Sequence, residues 1–180
     1  MRWWWAIVCA TGAATAAAPA AAAPCKAKVA RVIGHATKSG QLVGKLKQLR
    51  KKDGKTVELN TSLADHHATQ LTLRWPARVR PESVHSMVLD VAAKKLMRSQ
   101  AWFFDIRDYR RKKWIQLGAL SWKDGGADKS YALRTVDVNF YRDKRGRIRL
   151  RLRSEDVGAL HLDRLRLRLR CSGDSDCCGR

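Results

Sequence analysis

The chain has 180 residues, room for one ordinary domain and not comfortably for two. Its 37 Lys and Arg outnumber 16 Asp and Glu, for a formal net charge of +21. A field of that size attracts nucleic acid, acidic polysaccharide or anionic headgroups whether or not a site exists, so charge alone names no ligand.

The first residues, MRWWWAIVCATGAATAAAPAAAAPC, carry one basic residue, Arg2, and no further charge until Lys26. A short basic start, an apolar run and several Ala-x-Ala sites predict a secretory leader over 1–23, cleaved between Ala16 and Ala23. After Val8 the run is mostly Ala, Thr and Gly with Pro19 inside it, too weakly apolar to hold a bilayer well. A lipoprotein leader is excluded because Cys25 follows Pro24 rather than a small residue. Cys9 leaves with the leader. Cys25, Cys171, Cys177 and Cys178 remain, an even set suited to a secreted or periplasmic protein. Cys25 and Cys171 lie just outside the two ends of the patterned region, where a bridge between them would close the domain. All three pairings of the four cysteines stay open. Zinc is the weaker reading of CSGDSDCC, since adjacent cysteines rarely have ligand spacing and no histidine is near. The expected organisation is therefore a leader, a domain over 24–171 and a Cys-containing tail over 172–180.

The body reads as strands almost throughout, with period-two alternation. Val29 to Ala36 is a first strand. GQLVGKLKQLRKK then spaces Leu42, Leu46 and Leu49 helically, but Gly44 limits it to about one irregular turn. The turn Asp53-Gly54 leads into a strand ending at Asn60, and Ala68 to Trp75 alternates before a loop bracketed by Pro76 and Pro81. Val84 to Lys94 reads as a strand with Met87, Leu89 and Val91 on one side. Val84, Val88 and Val91 also fit a helical stripe. Ala101–Tyr109 and Lys113–Leu120 flank Arg110, Arg111 and Lys112 as a hairpin with a basic tip. Tyr131 to Tyr141 is a further strand before the turn RDKRG.

Two arginine ladders follow. In RIRLRLR, Ile148, Leu150 and Leu152 point one way and Arg147, Arg149, Arg151 and Arg153 the other, as on a sheet with one face in the core. In LHLDRLRLRLR the leucines are even-numbered at Leu160 and Leu162 but odd-numbered from Leu165 to Leu169. One residue must be absorbed at Asp163-Arg164, which predicts a β-bulge. Short strands joined by polar turns give an all-β fold, an antiparallel sandwich.

Three stretches resemble the galactose-binding-like jelly-roll domains, often called carbohydrate-binding-like, at the ends of secreted bacterial proteases and glycosidases. They are TKSGQLVGKLKQLRKKDGKTVELN, FDIRDYRRKKWIQLG and VNFYRDKRGRIRLRLR with the closing LHLDRLRLRL. The chain departs from that pattern at Tyr109, where the family usually has Trp, and in its basic outward positions. The resemblance implies a jelly-roll sandwich, a binding role and in many members a structural calcium. Asp53, Asp65 and Asp163 are its candidate ligands here by position. It also places Trp114, ahead of Ile115 and Leu117, in the packing motif of the core.

Basic side chains interleaved with aromatics suit sulfate or phosphate contact plus stacking. That selects Tyr109, Arg110, Arg111, Lys112 and Lys113 at the hairpin tip, with Trp122 in the polar loop SWKDGGADKS as an exposed stacking surface. His66 and His67, adjacent on a strand, would point to opposite faces and seldom share an ion. No nucleophile-elbow, zincin or paired-carboxylate signature is present, so no enzyme is expected. The expectation is a secreted non-catalytic binding module for an extracellular polymer, an acidic glycan, envelope component or other polyanion, with nucleic acid bound only nonspecifically. The alternative is a structural or assembly domain that docks a secreted protease or other envelope protein.

Overall fold

A computed structural model describes residues 27–61, 67–94, 100–121, 123, 128–134 and 137–171. Ten strands follow in chain order: β1 (Lys28–Ser39), β2 (Gln41–Val43), β3 (Val57–Asn60), β4 (His67–Arg74), β5 (Val84–Ala93), β6 (Ala101–Asp108), β7 (Lys113–Ser121), β8 (Asp128–Arg134), β9 (Arg147–Ser154) and β10 (Ala159–Cys171). Every pairing is antiparallel. One layer runs β1-β4-β9-β6-β7. In the other, β10 is central, with β5 and then β8 on one side. Its other edge is shared by β3, which carries β2, and by the start of β1. β1 belongs to both layers: Lys28–Ala30 pair with β10, and from Arg31 onward the strand pairs with β4. The result is an antiparallel jelly-roll β-sandwich.

The alternation of the sequence is what closes it. Ile148, Leu150 and Leu152 of β9 meet Leu160, Leu162, Leu165, Leu167 and Leu169 of β10 in one buried core, with Leu71, Leu73, Phe104 and Ile106 beside them. The bulge falls where the parity change requires it. Leu162 pairs with Ala93 and Arg164 with Ala92, leaving Asp163 as the extra residue. β5 is a strand, not a helix, and is buried on both faces except at His85. Met87, Leu89 and Val91 face the core. Val88 and Ala92 lie on the outer side in register with Arg168 and Arg164, whose long aliphatic stems suit the cover of apolar neighbours.

Two expectations are corrected. The segment Tyr131–Tyr141 is not one strand: β8 ends at Arg134, and Val138–Tyr141 forms a 3-10 turn. The Asp137 carboxylate accepts the Asn139 N–H at 2.8 Å, a local bond that competes with strand pairing and caps the turn instead. Trp114, placed in the core by its motif, is turned outward (below). Leu46–Arg50 is a single 3-10 turn that buries Leu49. Among the described residues no helix is long and apolar enough to cross a membrane. The leader, the tail, Cys25, Asp65 and Trp122 lie outside the described residues. Cys171 is disulfide-bonded, and its partner lies outside them too.

One end of the sandwich carries a buried polar chain. His67, fully buried, donates from Nδ1 to the Asn60 carbonyl at 2.9 Å, because that oxygen can only accept. Its Nε2 then accepts from the Thr69 hydroxyl at 2.8 Å, and Thr69 contacts Thr37 Oγ1 at 3.0 Å. Burial lowers the His67 pKa from the usual imidazole value, outweighing the Asn60 bond that raises it. The unfolded chain therefore binds the proton more readily, so stability rises with pH and is lost as the pH drops. Denaturant melts from pH 8 to pH 4 should show a loss that begins near pH 6.5, the ordinary value, and continues down through the depressed one. His67→Gln should remove that component. An unchanged pH slope in the variant would show that His67 is not its source.

Candidate functional site

The outer face of β1-β4-β9-β6-β7 is set by the same alternation that fills the core. Arg147, Arg149, Arg151 and Arg153 run down its middle strand. Beside Arg153 lies Phe103, and beside Arg151 lies Asp105. β6 pairs onward to β7, so Asp105 neighbours Gln116 and Arg107 neighbours Trp114. On the other side of β9 the neighbours are Ala68, Gln70, Thr72 and Arg74 of β4.

Trp114 owes its position to a bulge in β7. Phe104 pairs with Gly118 and Asp105 with Gln116, which leaves Leu117 as the extra residue. Leu120, on the far side of that bulge, is buried in the core. Unbroken alternation would put Trp114 on the Leu120 side, and the bulge reverses it. The ring is half-buried and gripped by cations, with the Arg151 guanidinium 4.8 Å and that of Arg107 5.6 Å from its centroid. Phe103 is covered in the same way by Arg153, at 4.3 Å.

Asp105 holds this surface together. It is 1% exposed. It takes a 2.7 Å ion pair from Arg151 Nη2 and a 3.1 Å hydrogen bond from Arg153 Nε. Arg147 is tied to Asp143 at 2.7 Å. Burial works against the Asp143 charge, but the backbone and side chain of Arg147 and the Arg145 N–H win and hold its carboxyl below the usual range. Of the four ladder arginines only Arg149 is exposed and makes no ion pair among the described residues.

The predicted hairpin tip adjoins that residue. Tyr109 lies within the fields of Arg149, Asp143, Arg147 and Arg107. Burial pushes its hydroxyl pKa up, and the hydroxyl makes no hydrogen bond among the described residues. The Tyr109 N–H donates to the Phe140 carbonyl at 2.6 Å, and Arg110 stacks on the Phe140 ring at 4.7 Å. Asp108 accepts the Arg111 N–H at 2.8 Å, and Lys112 closes the turn at φ 54°. Arg110, Arg111, Lys112 and Lys113 are exposed.

Two of the calcium candidates are held in local hydrogen bonds. Asp163 accepts the Gly54 N–H at 3.1 Å, and Asp53 accepts that of Lys55 at 3.1 Å. Both carboxylates fix the 53–55 turn, and among the described residues no three His, Cys, Asp or Glu side chains converge. Trp75 is buried, with its indole N–H donated to the Val79 carbonyl at 2.7 Å.

The antiparallel jelly roll thus presents aromatics and cations together on one sheet face. The chain belongs to the family of N-terminal glycosyl-hydrolase-114-associated domains, whose model matches residues 45–161. No curated protein matches it significantly. Among solved structures it is similar to a family 61 carbohydrate-binding module in complex with β-1,4-galactotriose, with 13% identity over 77% of this chain and 88% of that one, at a TM-score of 0.42. A variant of a family 29 carbohydrate-binding module shows 12% identity over 84% and 99% of the two chains, at 0.43. The tailspike protein 4 enzymatically active domain of bacteriophage CBA120 shows 11% identity, at 0.44, with 19% of that chain covered.

Two substitutions test this geometry. Asp105→Asn strips the ion pairs from Arg151 and Arg153 and should cost about 1.5–3 kcal/mol in denaturant unfolding. A cost near zero would mean that the arginines hold their places without it. Lys112→Gly relieves a side chain held in the left-handed region and should raise stability by about 0.5–1 kcal/mol, read as a higher unfolding midpoint with unchanged slope.

Proposed function

We propose that this chain is an exported, non-catalytic module that binds an acidic glycan through the outer face of β1-β4-β9-β6-β7. The observation that carries the reading is Trp114. A bulge turns a large aromatic out of the core and two arginines hold its ring, beside the exposed Arg149 and the Tyr109 hydroxyl. A flat ring stacks on a sugar face, while guanidinium groups bond carboxylate or sulfate bidentately. Membership of a glycosyl-hydrolase-associated family supports a glycan as the polymer. The four cations Arg110–Lys113 extend the basic surface beyond the sheet. Their role is to attract the polymer and lengthen its contact, since exposed charges on a turn are screened by salt. In this reading the leader ends near residue 23, Cys25 bridges to Cys171, and the mature domain spans 24–171. Trp122 adds a further stacking surface.

Affinity electrophoresis or calorimetry with acidic and neutral polysaccharides at fixed ionic strength tests it. An acidic glycan should bind, and Trp114→Ala should weaken it about tenfold, the loss expected from one stacked ring. Charge-reversed Arg110→Glu and Arg111→Glu should weaken binding at low salt and flatten the salt dependence. If Trp114→Ala binds as the parent does, or if retention merely follows ionic strength on every anionic matrix alike, the surface is a generic charged one.

A further inference from the structure

We propose a second binding site, separate from the Trp114 face: a cleft at the β1 edge of the sandwich that takes the carboxylate or sulfate of an acidic sugar residue. The cleft has a volume of about 710 Å³, within the range of roughly 300–1,000 Å³ typical of ligand sites. Arg31, Arg50, Arg74 and Arg166 line it, with apolar surface supplied by Val29 and Trp75. β1 and β7 are opposite edges of one sheet. Four strand spacings, roughly 19 Å, therefore separate this cleft from Trp114.

The charge balance of the cleft differs from that of the ladders. Elsewhere several arginines of β9 and β10 meet acids: Arg151 and Arg153 at Asp105, Arg164 at Asp128 and Arg168 at Asp90. Among the described residues no Asp or Glu lines the cleft. Arg31 and Arg74 are direct cross-strand partners, an arrangement in which like charges repel, and neither makes an ion pair among the described residues. Arg166 bonds to the Arg50 backbone carbonyl through both Nε and Nη2, which orients its guanidinium without neutralising it. A fixed planar fork with unspent charge is the natural partner of an oxyanion. Val29, 37% exposed, and the anchored indole of Trp75 offer an apolar wall for the CH face of a pyranose ring. Carboxylate and sulfate share this chemistry, and either is met by the same arginines.

The test is calorimetry on the full chain with galacturonate trisaccharide, a sulfated galactose trisaccharide and neutral galactotriose at matched ionic strength. At least one acidic trisaccharide should bind, and the two together tell carboxylate from sulfate, while galactotriose should not. Replacing Arg31→Gln and Arg74→Gln together should weaken binding by about tenfold or more. Arg31→Lys with Arg74→Lys should lose about threefold, because the charge stays and the fork goes. Arg170→Gln, on an exposed arginine outside the cleft, should change nothing. Equal binding by the Gln pair and the parent would overturn the proposal. So would equal affinity for galactotriose, or tighter binding of a DNA oligonucleotide through Arg31 and Arg74. Loss with Trp114→Ala but not with the Gln pair would overturn the cleft alone and leave the outer-face reading standing. Loss with the Gln pair alone establishes the cleft whatever becomes of that face.

Discussion

Two buried carboxylates, Asp105 and Asp90, make the arginine ladders tolerable, and much of the sandwich depends on them. Outward residues on one strand sit roughly 6.6 Å apart, so neighbouring guanidinium groups repel unless an acid lies between them. On one face Asp105 of β6 takes Arg151 and Arg153 of β9. On the opposite face Asp90 of β5 takes Arg168 through two hydrogen bonds and a third from Ser130 Oγ. Burial opposes the Asp90 charge, but those bonds and the fields of Arg168 and Arg164 prevail, and the carboxyl sits below its usual range. The effect is mutual, since the Asp90 hydrogen bond raises the Arg168 pKa.

These pairs also fix register. A one-residue slip between β6 and β9 would turn Asp105 or the whole arginine set inward, leaving a charge in the core without its partner. Leucine on one face would accept either of two registers an even number of residues apart. The acid on the other face selects between them. The same holds for β5 on β10. Charge patterning on the wet side thus does for these strands what shape complementarity does on the dry side, and it uses up most of the ladder in the process.

That is also why the sequence was readable in some places and not in others. The β10 bulge could be seen because leucine alternates strictly on both sides of Asp163, so a change of parity has only one meaning. The β7 bulge could not. Leu117 is followed by Gly118 and Ala119, which are too small to declare a face. What decides it is the Tyr131 ring, which lies where a Gly118 Cβ would stand and whose hydroxyl donates to the Ala119 carbonyl at 2.5 Å. That constraint comes from β8 and has no local signature. The cost of missing it was Trp114, assigned to the wrong side. Likewise VDVNFY alternates by accident, and one Asx bond at Asp137 overrides the pattern. Asp105 has a legible signal in the sequence: an acid directly after Trp102, Phe103 and Phe104 in the strand AWFFDIRD, in a chain whose ladders carry arginine outward.

The cleft follows from topology rather than from any motif. The two outer faces lie on opposite sides of the sandwich and meet only around an edge. β1 is the strand that turns that edge. Val29 pairs with Arg168 on one outer face, and two residues later Arg31 pairs with Arg74 on the other. A strand that changes layers cannot keep both neighbours, and the extra residue Ile33, 45% exposed, marks where the register is broken. There Arg31 and Arg74 of one layer come together with Arg166 of the other, with no strand beyond them among the described residues to supply an acid. Asp105 and Asp90 sit in interior positions, each with a strand on either side. The edge has no equivalent among the described residues, so a place where the fold gathers arginines from both layers is also one where no described carboxylate answers them.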